Sequence, residues 1–114
     1  MTKPKSAKAK GRRLQNLVRD TLRELYPSLH EDDIKGQTMG MPGEDIVLSP
    51  AARKIIPYSF ECKNQERLDL WKSLEQALEN CRGRKPVLII KRNRSRVYAV
   101  IEFDAFLDLI GGIK

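Results

Sequence analysis

Histidine is almost missing from this chain. The single copy, His30, sits in the polar stretch PSLHEDD and reads as a surface residue. One histidine cannot build a His-based nuclease centre or a His zinc site. It also leaves no Ser or Cys with a His partner, which argues against acyl-transfer chemistry. Cysteine is scarce as well. Cys62 and Cys81 lie far apart, give neither a disulfide framework nor a zinc spacing, and read as two reduced, buried thiols. No apolar run approaches the roughly 20 residues of a membrane span. The basic N-terminal segment lacks the apolar stretch of a signal peptide, so a cytoplasmic protein is expected. The turn GMPGED lacks the Lys-Ser/Thr pair of a phosphate-binding P-loop. Acidic residues are absent from positions 1–13.

That last absence shapes the charge. Residues 1–13 carry Lys3, Lys5, Lys8, Lys10, Arg12 and Arg13, which account for six of the seven net positive charges. The rest of the chain is close to neutral, apart from a second cluster at Lys91, Arg92, Arg94 and Arg96. A basic arm and a basic turn point to a polyanionic partner, most often nucleic acid. Lys8, Lys10, Arg12, Arg13, Arg19, Lys91, Arg92, Arg94 and Arg96 are the candidate contacts. The arm has too few apolar residues for a membrane-binding amphipathic helix.

With 114 residues the chain fits one domain. Residues 1–9 are expected to be a disordered basic arm and 10–114 a single folded domain. Leu14, Leu17, Val18, Leu22 and Leu25 recur at helical spacing, and Pro27 ends that helix. Ile34 to Thr38 and EDIVLS read as strands. Ser49-Pro50 reads as a helix cap followed by one turn. IPYSFECKN is the next strand. Residues 69–82 read as a helix with Leu70, Trp71, Leu74, Ala77, Leu78 and Cys81 on one buried face, which makes Trp71 a core residue. PVLIIK and VYAVIE are strands, and FDAFLDLI a last helix. This order predicts an α/β (α+β) fold, with a central mixed sheet flanked by helices.

The strand FECKN carries the chemistry. Side chains alternate along a strand, so Tyr58, Phe60 and Cys62 share an apolar face while Ser59, Glu61 and Lys63 share a polar one. The preceding strand opens with Glu44 and Asp45. Antiparallel pairing of the two would bring the Asp45 carboxylate to that of Glu61. Two carboxylates are hard oxygen ligands for Mg²⁺, to which the Cys62 carbonyl could add a third oxygen. A metal there would offset charge on a phosphate and acidify a water, while Lys63 orients that water or stabilises developing charge. A solvated strand face is the alternative reading of the same residues, because Glu-x-Lys by itself recurs by chance.

GED-IVLS, followed sixteen residues on by ECK, resembles the D…(D/E)-x-K signature of the PD-(D/E)XK nuclease superfamily. The longer string GRRLQNLVRDTL…PGEDIVLSPAARKIIPYSFECKNQERLDLWKSLEQA is similar to small bacteriophage proteins that are endonucleases or resemble Holliday-junction resolvases. The likeness runs from about Gly11 to Ile110. It implies a restriction-endonuclease-like αβββαβ core and an Mg²⁺- or Mn²⁺-dependent DNA endonuclease. Asp45, Glu61 and the Cys62 carbonyl would hold the metal, Lys63 would be the catalytic lysine, and Gln76 a further catalytic residue on the following helix. Family members often carry a Glu on the first helix. Here Gln15 stands in that region, so Gln15 or Glu44 would act only through a bound water. The resemblance also implies branched DNA as partner, the host cytoplasm as location if phage-encoded, and a two-fold homodimer formed through an apolar helix or strand edge. A membrane and a small-molecule cofactor are not expected.

Overall fold

A computed structural model of the chain describes residues 4–38 and 40–112. Helix α1 spans Pro4–Leu25 and buries Leu14, Val18 and Leu22, spaced four apart on one face. It starts well ahead of the expected boundary. Of the arm read as disordered, residues 1–3 lie outside the described residues and 4–9 are helical. Proline is tolerated in a first helical turn, and the Ala and Lys residues that follow are strong helix formers. The helix stops two residues before Pro27.

A 3-10 turn, Glu31–Asp33, leads into β1 (Ile34–Gly36), which pairs antiparallel with β2 (Ile46–Leu48) in the register Ile34 to Leu48. Helix α2 (Pro50–Ile55) follows. The Ser49 hydroxyl accepts from the Ala52 N–H at 3.1 Å and Pro50 takes the first helical position, as the sequence predicts. Strand β3 (Tyr58–Asn64) runs parallel to β4 (Lys85–Lys91), with α3 (Leu70–Asn80) as the crossover. Strand β5 (Tyr98–Ile101) turns back antiparallel to β4, and α4 (Phe103–Gly111) ends the described fold. No described helix is long and apolar enough to cross a membrane.

The α/β class and the mixed strand directions agree with expectation, but the expected single sheet is divided. β1–β2 and β3–β4–β5 form separate ladders, joined by one backbone bond from Asp45 N–H to the Phe60 carbonyl at 3.0 Å. The physical reason lies one step further on. A continued ladder would give the Cys62 N–H to a backbone carbonyl. Here it goes to the Asp45 carboxylate, at 2.7 Å.

The main core lies between α1 and one sheet face, where Leu14, Val18 and Leu22 meet Phe60, Val87 and Ile89. Tyr58 and Cys62 pack against it as expected. Both cysteines are free, with Cys81 buried and Cys62 partly so.

Helix α3 corrects a prediction. Its buried seam is Ser73, Ala77 and Cys81, spaced four apart. Small side chains let a helix approach a sheet closely, so this seam takes the contact and the larger apolar residues are displaced to its flank. Trp71, expected in the core, is 76% exposed, and Leu78 is also exposed.

Candidate active site

The polar face of β3 is neither solvated nor apolar. Glu61 is only 3% exposed and Ser59 is equally buried. A cavity of about 690 Å³ opens over the end of this face. Its floor is Asp45 and residues 61–65. Its walls are α1 at Ala7, Lys8 and Gly11, the turn 40–43, and α3 at Gln76, Glu79 and Asn80. Gly40 and Gly43 have φ of 85° and 103°, conformations that favour glycine and that fold the turn over the site.

Asp45 is held from several directions. Its backbone N–H donates to Phe60, and its carbonyl accepts from Gln37 N–H at 2.8 Å and from the Gln15 side-chain amide at 2.7 Å. One carboxylate oxygen accepts from Cys62 N–H. Glu61 accepts from the Asn80 amide at 3.3 Å, and the Lys63 ammonium stands 4.0 Å from its other oxygen. Pro57 O and Gln65 N both bond to β4, so alternation along the strand turns the backbone of Cys62 to the opposite edge. That edge faces Asp45.

Burial and the neighbouring Asp45 charge push the Glu61 carboxyl from 4.5 up to about 7, against the opposing pull of Asn80 and Lys63. Burial also raises Asp45, with the Cys62 N–H and Lys63 pulling the other way. The Cys62 thiol is raised by burial and then by both carboxylates, so it is no nucleophile. The pair of carboxylates is therefore short of positive charge.

Asp45, Glu61, Lys63 and Gln76 thus line one cavity. Gln15 and Glu44 do not line it. Gln15 is buried and spends its amide on the Asp45 carbonyl, so it positions Asp45 instead of holding a metal-bound water. Glu44 is buried in an ion-pair network. One oxygen takes Arg53 at 3.2 Å, and the other takes Arg84 at 2.6 Å and Ser59 at 2.8 Å. Its burial demands those partners, which leaves it no role at the cavity. Among the described residues no three His, Cys, Asp or Glu side chains gather as a metal-holding group.

Two basic clusters distant in sequence converge. Lys10 and Arg13 of α1 face Lys91, the last residue of β4, and Arg94 of the β4–β5 turn across a groove that also holds Asn64. Asn64 lines the neighbouring cavity too, and its amide donates to the Lys10 carbonyl at 3.1 Å, tying α1 to β3. Lys8 lines the cavity itself. Arg92 and Arg96 are exposed on the same turn, and Arg12 is exposed on α1. Arg19 is occupied by Asp20 at 2.8 Å and joins neither groove nor cavity.

Sequence reasoning missed Asn80, Asn64 and the 40–43 wall. A signal for Asn80 was present, because it lies four residues after Gln76 and so shares its helix flank. No family model, no curated protein and no solved structure matches this chain.

Proposed function

We propose that the chain is a divalent-metal-dependent DNA endonuclease that hydrolyses phosphodiester bonds, acting on branched DNA in the manner of a Holliday-junction resolvase. The observation that carries the reading is the meeting of Asp45, Glu61 and Lys63 in one cavity that shares Asn64 with a groove of four cations. A solvated strand face would not bury Glu61 beside a second carboxylate.

The donor set fits Mg²⁺ or Mn²⁺. It offers two carboxylates and a backbone carbonyl, all hard oxygen, and a carboxylate pair lacking the positive charge that a dication brings. Asp45, Glu61 and the Cys62 carbonyl would hold the ion. When bound, it supplies positive charge to the phosphate and acidifies a water. Asn80 fixes the orientation of Glu61. Gln15 and Gln37 fix the backbone of Asp45. Lys63 orients the attacking water or stabilises charge on the phosphoryl oxygens, and Gln76 holds the substrate side of the cavity. The water oxygen bonds to phosphorus and gives up a proton to solvent, the bond to the leaving sugar oxygen breaks, and that oxygen takes up a proton from solvent. The basic groove grips the DNA backbone. Backbone contacts carry no sequence information, so selection falls to DNA shape.

The test is cleavage of a labelled four-way junction beside linear duplex of the same sequence, with Mg²⁺ and with EDTA. Paired symmetric nicks in the junction are expected. They should vanish with EDTA and fall at least about 100-fold in Lys63→Ala. Cutting confined to linear duplex would move the reading to another DNA substrate. Tight binding without metal-dependent cutting would replace the enzyme by a DNA-binding protein.

A further inference from the structure

The sheet face beneath α3 is not covered to its end. Leu88 and Ile90 alternate onto the same face of β4, and Leu88 is fully buried. Helix α3 begins only at Leu70, and beyond its start Ile90 is half-buried and its cross-strand partner Tyr98 is 56% exposed. A separate pocket of about 340 Å³ forms there, with Ile90, Tyr98, Leu68 and Leu70 as its apolar body. One exposed aromatic is ordinary on a protein surface. Tyr98 differs because it walls a concavity of ligand-site size, mostly apolar with a few polar groups.

The pocket joins both features of the candidate site. Gln65 lines it and the carboxylate cavity, and Lys91 lines it and the basic groove. The turn after β4 is the ridge between groove and pocket. Arg92 and Ser95 line the pocket side, while Asn93 and Arg94 line the groove side. Hydrogen bonds fix this ridge. Arg92 N–H donates to the Ser95 hydroxyl at 3.0 Å, Ser95 N–H to the Arg92 carbonyl at 3.1 Å, and Asn93 N–H to the Glu66 carboxylate. Arg94 has a φ of 61°, a left-handed conformation that glycine would hold more easily. An arginine is kept there at a conformational cost, and its side chain lines the groove.

We propose that the pocket binds one unstacked nucleobase of a DNA strand whose phosphates lie in the groove. A strand crossing the ridge leaves its phosphates among Lys10, Lys91 and Arg94 and turns an unpaired base toward Tyr98. Every base has a flat π-face, so stacking on an aromatic ring requires no particular sequence. Arg92 supplies a cation at the same pocket. Glu66 is the one acid in the lining. It accepts from Asn93 N–H and stands 3.9 Å from Lys10, so its charge is offset. A base held in a duplex has both faces stacked and cannot enter. The pocket therefore favours strands with unpaired nucleotides, such as those at branch points, flaps and ends. Gln65 lies four residues past Glu61, about 13 Å along the strand, so the base belongs within about four stacked nucleotides of a phosphate at Glu61. The inference rests on the DNA-binding part of the proposed function and not on cleavage.

Fluorescence anisotropy on the full chain in EDTA tests it without any cutting. The labelled probes are a forked duplex with single-stranded arms, the same fork with abasic arms, and a blunt duplex. Abasic arms keep every phosphate and lose only the bases. They should bind at least about 5-fold more weakly than the normal arms. Tyr98→Ala should lower affinity for the normal fork by the same factor and leave the abasic fork unchanged. Tyr98→Phe keeps the ring and should bind both forks as the wild type does. Arg94→Ala, on the groove side, should weaken both forks equally. Tyr98 is exposed on the edge strand, so the melting curves of both Tyr98 variants should match the wild type. Equal affinity for normal and abasic forks overturns the inference and leaves the nuclease reading standing. So does a Tyr98→Ala loss of the same size on both forks, which would make Tyr98 structural. Base-dependent binding by a chain that cuts no DNA upholds the inference and overturns the nuclease. Absence of salt-dependent binding to every probe overturns both.

Discussion

Helix α3 has two flanks on either side of its Ser73–Ala77–Cys81 seam, and they invert the usual rule in opposite ways. On one flank Asn80 donates to the buried Glu61 carboxylate and Gln76 lines the same cavity. On the other, Trp71 and Leu78 stand in solvent. Buried polar groups cost free energy unless they are paired, and wide exposed apolar patches cost solubility unless they are covered. Neither flank is explained by the stability of one isolated chain. On the proposed reading the polar flank serves the carboxylate site, while the apolar flank is left open to solvent. The seam of small residues makes both possible, since it holds the helix to the sheet without using either flank.

The comparison can be broken most forcefully at Glu61. Glu61→Gln should lower cleavage by about 10²–10³-fold or more, in line with the loss of a charged group acting in the transition state. Its effect on folding should have the opposite sign. The Glu61 carboxyl is raised from 4.5 to about 7 in the fold. Between those values the folded state keeps a proton that the unfolded chain has released. Stability from this group is therefore fully present below about pH 4.5 and is lost as pH rises through about 7. In metal-free buffer the wild type should weaken across that window by on the order of 3 kcal/mol, and Glu61→Gln should remove most of that slope. Denaturant titrations at a series of pH values in EDTA measure it. A variant less stable than wild type at pH 8 would mean that the carboxylate is structural.

Next in size is the seam. Ala77→Leu should cost about 1–3 kcal/mol by overpacking between α3 and β4, and chemical denaturation reads it directly. A neutral result would show that α3 does not depend on close approach, and the contrast between its flanks would lose its cause. The smallest effect is expected at Asn80. Its amide pulls the Glu61 carboxyl downward, so Asn80→Ala should move the acidic limb of the pH–rate profile upward by about one unit or less. An unshifted limb would mean that Asn80 does not reach Glu61 during the proposed cleavage.

Much of this was legible in the chain itself. The order of helices and strands followed from periodicity and from punctuation such as Pro27 and Ser49-Pro50. The alternation of Phe60, Glu61, Cys62 and Lys63 placed the two faces of β3 correctly. Spacing also brought Asp45 to Glu61, although the contact is made through the Cys62 N–H and one backbone bond in place of a full ladder. Gln15 and Glu44 were misread because a polar side chain near a strand end can serve a site or satisfy the backbone and buried cations. Sequence shows the group and not its partner. Trp71 was misread because size suggested core, whereas the tightest helix–sheet contact went to the smallest residues.

Local pattern by itself thus determined the elements, the polar face of β3 and the two basic clusters, because periodicity, capping and charge act over a few residues. Only the tertiary structure decided the rest. It decided which flank of α3 meets the carboxylates, that Lys10 and Arg13 join Lys91 and Arg94 across one groove, that Glu44 is spent on Arg84, and that Phe103 and Phe106 of α4 turn outward. Each of these depends on packing between segments distant in the chain, where the closest fit and the satisfaction of buried charge outweigh local preference.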